Sequence, residues 1–128
     1  MLRAVLAAAV LLSAQPASAH EWAGWFEYGR TELSARGYQV AAEVADYARR
    51  VELRRIVITG HMDTAEAVEF SDELSRRRAQ AMAMEIVRLG VRPDIIELRG
   101  NGAGTLARPT PGGVQEPLNR RVIVDAHR

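Results

Sequence analysis

Residues 56–58, Ile-Val-Ile, form an unbroken apolar run between two longer stretches whose apolar residues recur every three or four positions. A short β-branched run without polar alternation suits a strand covered on both faces. Amphipathic helices before and after it supply the cover. The stretch 34–51 places Val40, Val44, Tyr47, Ala48 and Val51 on one side of a helix, with Ser34 as its N-cap and Gly37 near its start. Residues 53–59 then read as the strand. A second helix is expected over 66–89, starting near Asp63 or Thr64 and stopping at Gly90.

Three more strands complete the pattern: WFEY at 25–28, ended by Gly29; DIIELR at 94–99; and 118–125 around Val122, Ile123 and Val124. The segment NGAGTLARPTPGGVQEP at 101–117 carries too many glycines and prolines for regular structure. The order β-α-β-α-β-β predicts an α/β chain of the α+β type, a two-layer sandwich with one sheet and two helices packed on one face.

The N-terminus reads differently. Arg3, the apolar stretch 4–12 and Ala17-Ser18-Ala19 have the layout of a secretory signal peptide, so 1–19 is expected to be removed and 20–128 to form one domain. The apolar stretch is too short to span a bilayer and none like it follows, which predicts no transmembrane segment in the mature chain. Cysteine is absent, which excludes disulfide staples, a lipid-attachment cysteine and a thiol nucleophile. Basic and acidic residues nearly balance at 17 and 16, and every basic residue is arginine, dispersed among acids; no nucleic-acid partner is expected.

Three consecutive arginines interrupt the second helix. On a helical wheel with Leu74 at zero, Leu89, Met82, Ile86 and Ala79 span roughly 60° to 140°. Arg76 and Arg77 fall on the solvent side, near 200° and 300°, but Arg78 falls at about 40°, inside the apolar stripe. A guanidinium there needs a partner, because stranding it costs several kcal/mol. Asp63, at the strand-to-helix turn, is the nearest preceding acid. Two readings are open: an internal Asp63–Arg78 bridge, or two charges at opposite ends of a pocket, complementary to an amino-acid zwitterion.

At these residues the chain resembles the OmpA-like C-terminal domain family, the peptidoglycan-binding module also found in MotB-type stator proteins and in peptidoglycan-associated lipoproteins. The resemblance rests on FEYGRTEL (26–33), GHMD (60–63), LSRRRA (74–79) and NRRV (119–122), in order and across nearly the whole mature chain. It implies the two-layer sandwich and a non-catalytic envelope protein. By resemblance, Asp63 and Arg78 hold the diaminopimelate of the peptidoglycan stem peptide, which favours the ligand reading over the internal bridge. It further implies a Gram-negative periplasmic location associated with peptidoglycan or the outer membrane, with other envelope proteins as further partners.

The chain departs from the family pattern at Gly29, Met62, Glu66 and Ser71, where the family has a polar residue, threonine, glycine and asparagine. On the wheel Ser71 falls at about 60°, beside Arg78, where its hydroxyl could replace the amide. Glu66 could favour the helix dipole, repel a ligand carboxylate or capture Arg78 itself. The alternative function is thus a fold that has lost its ligand and serves as a periplasmic interaction or scaffold module.

Other constellations carry less. His61 and Asp63 are two potential metal ligands without a third, so no metal is expected. Gly100-Asn101-Gly102-Ala103-Gly104 is followed by prolines where a dinucleotide motif needs a helix, so no cofactor is expected either. No nucleophile constellation supports an enzyme. Asn119 and Arg120 are expected to bond loop backbone, Arg121 to reach the ligand rim, and Trp22 and Trp25 to pack on the sheet edge.

Overall fold

The computed structural model describes residues 19–128; the rest of the expected signal peptide lies outside them. One four-stranded sheet is built from β1 (Ala19–Trp25), β2 (Arg55–Gly60), β3 (Ile96–Gly100) and β4 (Arg121–His127), in the order β1-β4-β2-β3. The β2–β3 pair is parallel and both β4 pairings are antiparallel. Helices α1 (Ala35–Arg50) and α3 (Glu73–Arg88) cover one face, and the short α2 (Thr64–Glu69) precedes α3. The two-layer β-α-β-α-β-β architecture expected from the sequence is the one found.

The core lies between sheet and helices. Val40 and Val44 of α1, Ile56 and Ile58 of β2, Met82 and Ile86 of α3, and Val122 and Val124 of β4 are wholly buried there. Ser34 caps α1 by accepting from the Gly37 amide at 3.1 Å, and α3 lies close on the sheet. A Cβ on Gly60 would stand 1.7 Å from the Ser75 carbonyl oxygen, and one on Gly100 would stand 2.8 Å from the Arg76 amide. Both strands therefore end where the helix touches their backbone.

Several expected bounds need correction. β3 starts at Ile96 rather than at 94, after a 3-10 turn at Pro93–Ile95, and β4 runs Arg121–His127 rather than 118–125, after a 3-10 turn at Pro117–Asn119. The first strand is not 25–28 but Ala19–Trp25; Phe26 leaves the strand and turns into the core, with its amide on the Arg120 carbonyl at 2.8 Å. The expected single helix over 66–89 is two helices, because Phe70 adopts an extended conformation and closes α2, and Asp72 begins α3. The Phe70 ring packs edge-on against Tyr28, centroids 5.8 Å apart, and lies against Gly29. Tertiary contact, with no glycine or proline between the helices, accompanies the break.

Candidate functional site

The chain leaves β2 through His61, Met62 and Asp63, and α2 begins immediately. Asp63 is its N-cap: Oδ1 accepts from the Glu66 amide at 2.7 Å, and the Asp63 amide donates to Glu66 Oε1 at 3.1 Å. This reciprocal capping box occupies one Asp63 oxygen. The other accepts from Arg120 Nη1 at 2.9 Å and from the Glu116 amide at 3.1 Å. Arg120 also donates from Nε to the Phe26 carbonyl at 3.0 Å.

Arg78 lies inside the apolar stripe of α3, as its wheel position requires, while Arg76 and Arg77 are exposed. All its donors are used. Nε donates to the Arg30 carbonyl at 2.9 Å, Nη1 to the His61 carbonyl at 2.9 Å and Glu66 Oε1 at 2.8 Å, and Nη2 to the Glu27 carbonyl at 3.2 Å and Glu66 Oε2 at 2.5 Å. The Phe26 ring covers the guanidinium, its centroid 5.0 Å from Cζ, an arrangement that favours a cation. The Glu66 carboxylate is equally satisfied, since Oε2 also accepts from the Gly29 amide at 2.7 Å. Gly29 has φ +68° and a Cβ there would meet the Phe70 ring at 2.9 Å. Glycine thus lets this amide approach the carboxylate.

The result is a carboxylate cradle: a guanidinium fork and two backbone amides, filled by the chain's own Glu66. Asp63, Glu66 and Arg78 are each 0 % exposed. Asp63 and Arg78 share no hydrogen bond or ion pair among the described residues; each has a different partner, Arg120 and Glu66. Of the outcomes open to Glu66, capture of Arg78 is the one observed.

The remaining expected site residues are scattered. Ser71 sits exposed in the break between α2 and α3, so its wheel position beside Arg78 does not hold. The buried hydroxyl of that region belongs to Ser75, which donates to the Asp72 carbonyl at 2.6 Å and accepts from the Gly102 amide at 2.9 Å. Arg121 points away from the cradle, because alternation along β4 sends Val122 to the core and Arg121 to the open face of the sheet. The same alternation, applied to Asn-Arg-Arg-Val, was the signal for the inward turn of Arg120. Asn119 bonds loop backbone as expected, accepting from the Arg108 amide at 2.8 Å and donating to its carbonyl at 2.9 Å.

Trp22 packs inward against Tyr47, ring centroids 5.8 Å apart. At the cradle's outer edge Tyr28 donates to Glu69 Oε2 at 2.6 Å, and that bond pushes its pKa up to about 12. Among the described residues no group of three or more histidine, cysteine or carboxylate side chains is placed to hold a metal, and no helix is long and apolar enough to cross a membrane.

A two-layer domain with strand order β1-β4-β2-β3 and a buried Asp-Glu-Arg system at the β2–α2 turn defines the class. The OmpA family model matches residues 25–120, and the chain belongs to the OmpA family. An outer membrane protein of Gluconacetobacter diazotrophicus is 32 % identical, the match covering 88 % of this chain and 31 % of that protein. Outer membrane protein A of Bordetella avium is 27 % identical over 79 % of this chain and 52 % of its own length. The chain thus spans about a third to a half of these relatives. Among solved structures, the peptidoglycan-associated lipoprotein of Burkholderia pseudomallei superposes with a TM-score of 0.69 at 21 % identity, covering 82 % of this chain and 87 % of that one.

Proposed function

We propose that this protein is a non-catalytic module of the Gram-negative periplasm that binds peptidoglycan, with Arg78 receiving a carboxylate of the stem-peptide diaminopimelate in exchange for Glu66. The observation that carries the reading is the cradle: a planar fork and two amides already engage one carboxylate at 2.5 to 3.1 Å. Such donors read carboxylates bidentately. Asp63, at the same turn, would take the ammonium in place of Arg120 Nη1 on its Oδ2, and Ser71 stands exposed in the adjoining break. Arg121 plays no part in this exchange. Membership of the OmpA family supports the envelope setting.

Glu66 competes within the molecule, at a high effective concentration, so affinity for the wall is expected in the weak, millimolar range, about −4 kcal/mol. The scaffold reading, in which the cradle never opens and the surface binds protein partners instead, is favoured by one observation. None of the three charged residues is exposed, and all five guanidinium donors are satisfied internally.

Sedimentation with purified sacculi separates the two. On the wall-binding reading the natural protein co-sediments weakly, Glu66→Gly co-sediments at least tenfold better, and free diaminopimelate releases both. If neither protein sediments, or diaminopimelate releases neither, the exchange reading is overturned and the scaffold reading stands.

A further inference from the structure

Helix α2 is held very differently at its two ends. At the N-terminal end Asp63 accepts from Arg120 Nη1 at 2.9 Å and from the Glu116 amide at 3.1 Å. The next two residues are strapped to the 110–114 loop. The Thr64 hydroxyl donates to the Pro111 carbonyl at 2.7 Å and accepts from the Val114 amide at 3.0 Å, and the Ala65 amide donates to the Val114 carbonyl at 3.2 Å. This end is pinned by side chain and backbone alike.

At the C-terminal end, among the described residues, the hydrogen bonds to distant parts of the chain reduce to one: Glu69 Oε2 accepts from the Tyr28 hydroxyl at 2.6 Å. Glu69 sits in the last turn of α2, where the helix carbonyls disfavour a carboxylate and no basic residue offsets it. The Tyr28 hydroxyl supplies what the helix does not. Phe70, in extended conformation, lays its ring edge-on against Tyr28, centroids 5.8 Å apart. Ser71 and Asp72 follow, exposed, before α3 begins.

Tyr28 belongs to the 27–30 turn, and that turn is the other wall of the cradle. Its Glu27 and Arg30 carbonyls accept from Arg78, and its Gly29 amide donates to Glu66 Oε2. Turn and helix therefore close on each other around Glu66 and Arg78, with the Tyr28–Glu69–Phe70 contact on the outside. Because Glu66 and Arg78 are wholly buried, a carboxylate reaches Arg78 only after turn and helix part. The strapped end fixes where they part: at Phe70, not at Asp63.

We propose that α2 is a lid over the Arg78 cradle, hinged at Asp63–Ala65 and latched by Tyr28 against Glu69 and Phe70, and that the latch sets how often the cradle opens. The inference rests on the exchange reading for its purpose alone; the motion belongs to the chain without ligand. Amide hydrogen exchange of the mature chain, followed residue by residue by NMR, tests it in the absence of wall and ligand. In Tyr28→Phe, which loses the hydroxyl and keeps the ring, the Gly29 and Phe70 amides should exchange about fivefold faster, the scale of one hydrogen bond. The Ala65, Val114 and Glu116 amides at the hinge, and those of Ile58 and Val124 in the sheet, should be unchanged. Glu69→Ala should give the same acceleration, and the double variant no more than either single one, because the two side chains form one contact.

Unchanged exchange at Gly29 and Phe70 in both variants overturns the lid. Equal acceleration at the hinge amides overturns it too, since the fold then loosens as a whole. Sacculus sedimentation answers the other question: if Tyr28→Phe shows the faster exchange and still fails to bind the wall, the exchange reading falls and the lid stands.

Discussion

Arg120 Nη1 donates to Asp63 Oδ2 at 2.9 Å across 57 residues of chain. The pair joins the entry to β4 to the N-cap of α2, with Asp63 unexposed and Arg120 nearly so. Removing one member leaves the other buried and uncompensated. Arg120→Ala should therefore destabilise the fold by about 3–5 kcal/mol, read as a lower urea midpoint. Asp63→Asn, which keeps a capping oxygen, should cost less than Asp63→Ala.

Glu66→Gly opens the carboxylate cradle without removing any of its donors. A loss of roughly 3 kcal/mol is expected from the uncompensated Arg78. Added acetate should restore part of it, since a ligand that binds only the folded state raises its stability. Thermal melts in acetate and in chloride at equal ionic strength provide the check. Stabilisation should appear with acetate and in the variant alone.

Acid should weaken the fold through His61. Its folded-state pKa, about 4, lies below the ordinary 6.5, so the unfolded chain takes up the proton first. Its contribution is complete above about pH 6.5 and is lost progressively as pH falls towards 4, to a total of up to about 3 kcal/mol. Urea midpoints measured between pH 7.5 and 4 should show a decline that His61→Gln flattens.

Gly60→Ala should be among the most damaging single-methyl additions in the chain. The new carbon would fall 1.7 Å from a helix carbonyl oxygen, and backbone cannot yield as a side-chain tip can. A cost of about 3 kcal/mol or more is expected, visible as a large drop in Tm, whereas alanine at Gly112, with nothing within 4 Å, should change little.

Much of this organisation is legible in the residues. The Ile56–Ile58 run, the three-and-four spacing of the helices and the glycine- and proline-rich 101–117 segment are local signals, and they give the layers correctly. The wheel isolates Arg78 because a charge in an apolar stripe needs no tertiary knowledge to stand out. The partners do not follow so directly. Asp63 precedes the helix at a spacing that suggests Arg78, yet Glu66, one turn on, is the residue that reaches the guanidinium. The break after Glu69 is equally hidden, since Phe70 closes α2 with its ring packed against Tyr28 and Gly29, residues about forty positions earlier. The strand Ala19–Trp25 escapes because Ala23 and Gly24 give it no apolar alternation; its pairing with β4 defines it.

His61 stands in two compartments at once. Its carbonyl oxygen is one of the walls around Arg78, and the residue also lines a cleft on the other face of the sheet. The chain there is a partition one residue thick. Any replacement at position 61 therefore disturbs both sides of the sheet together.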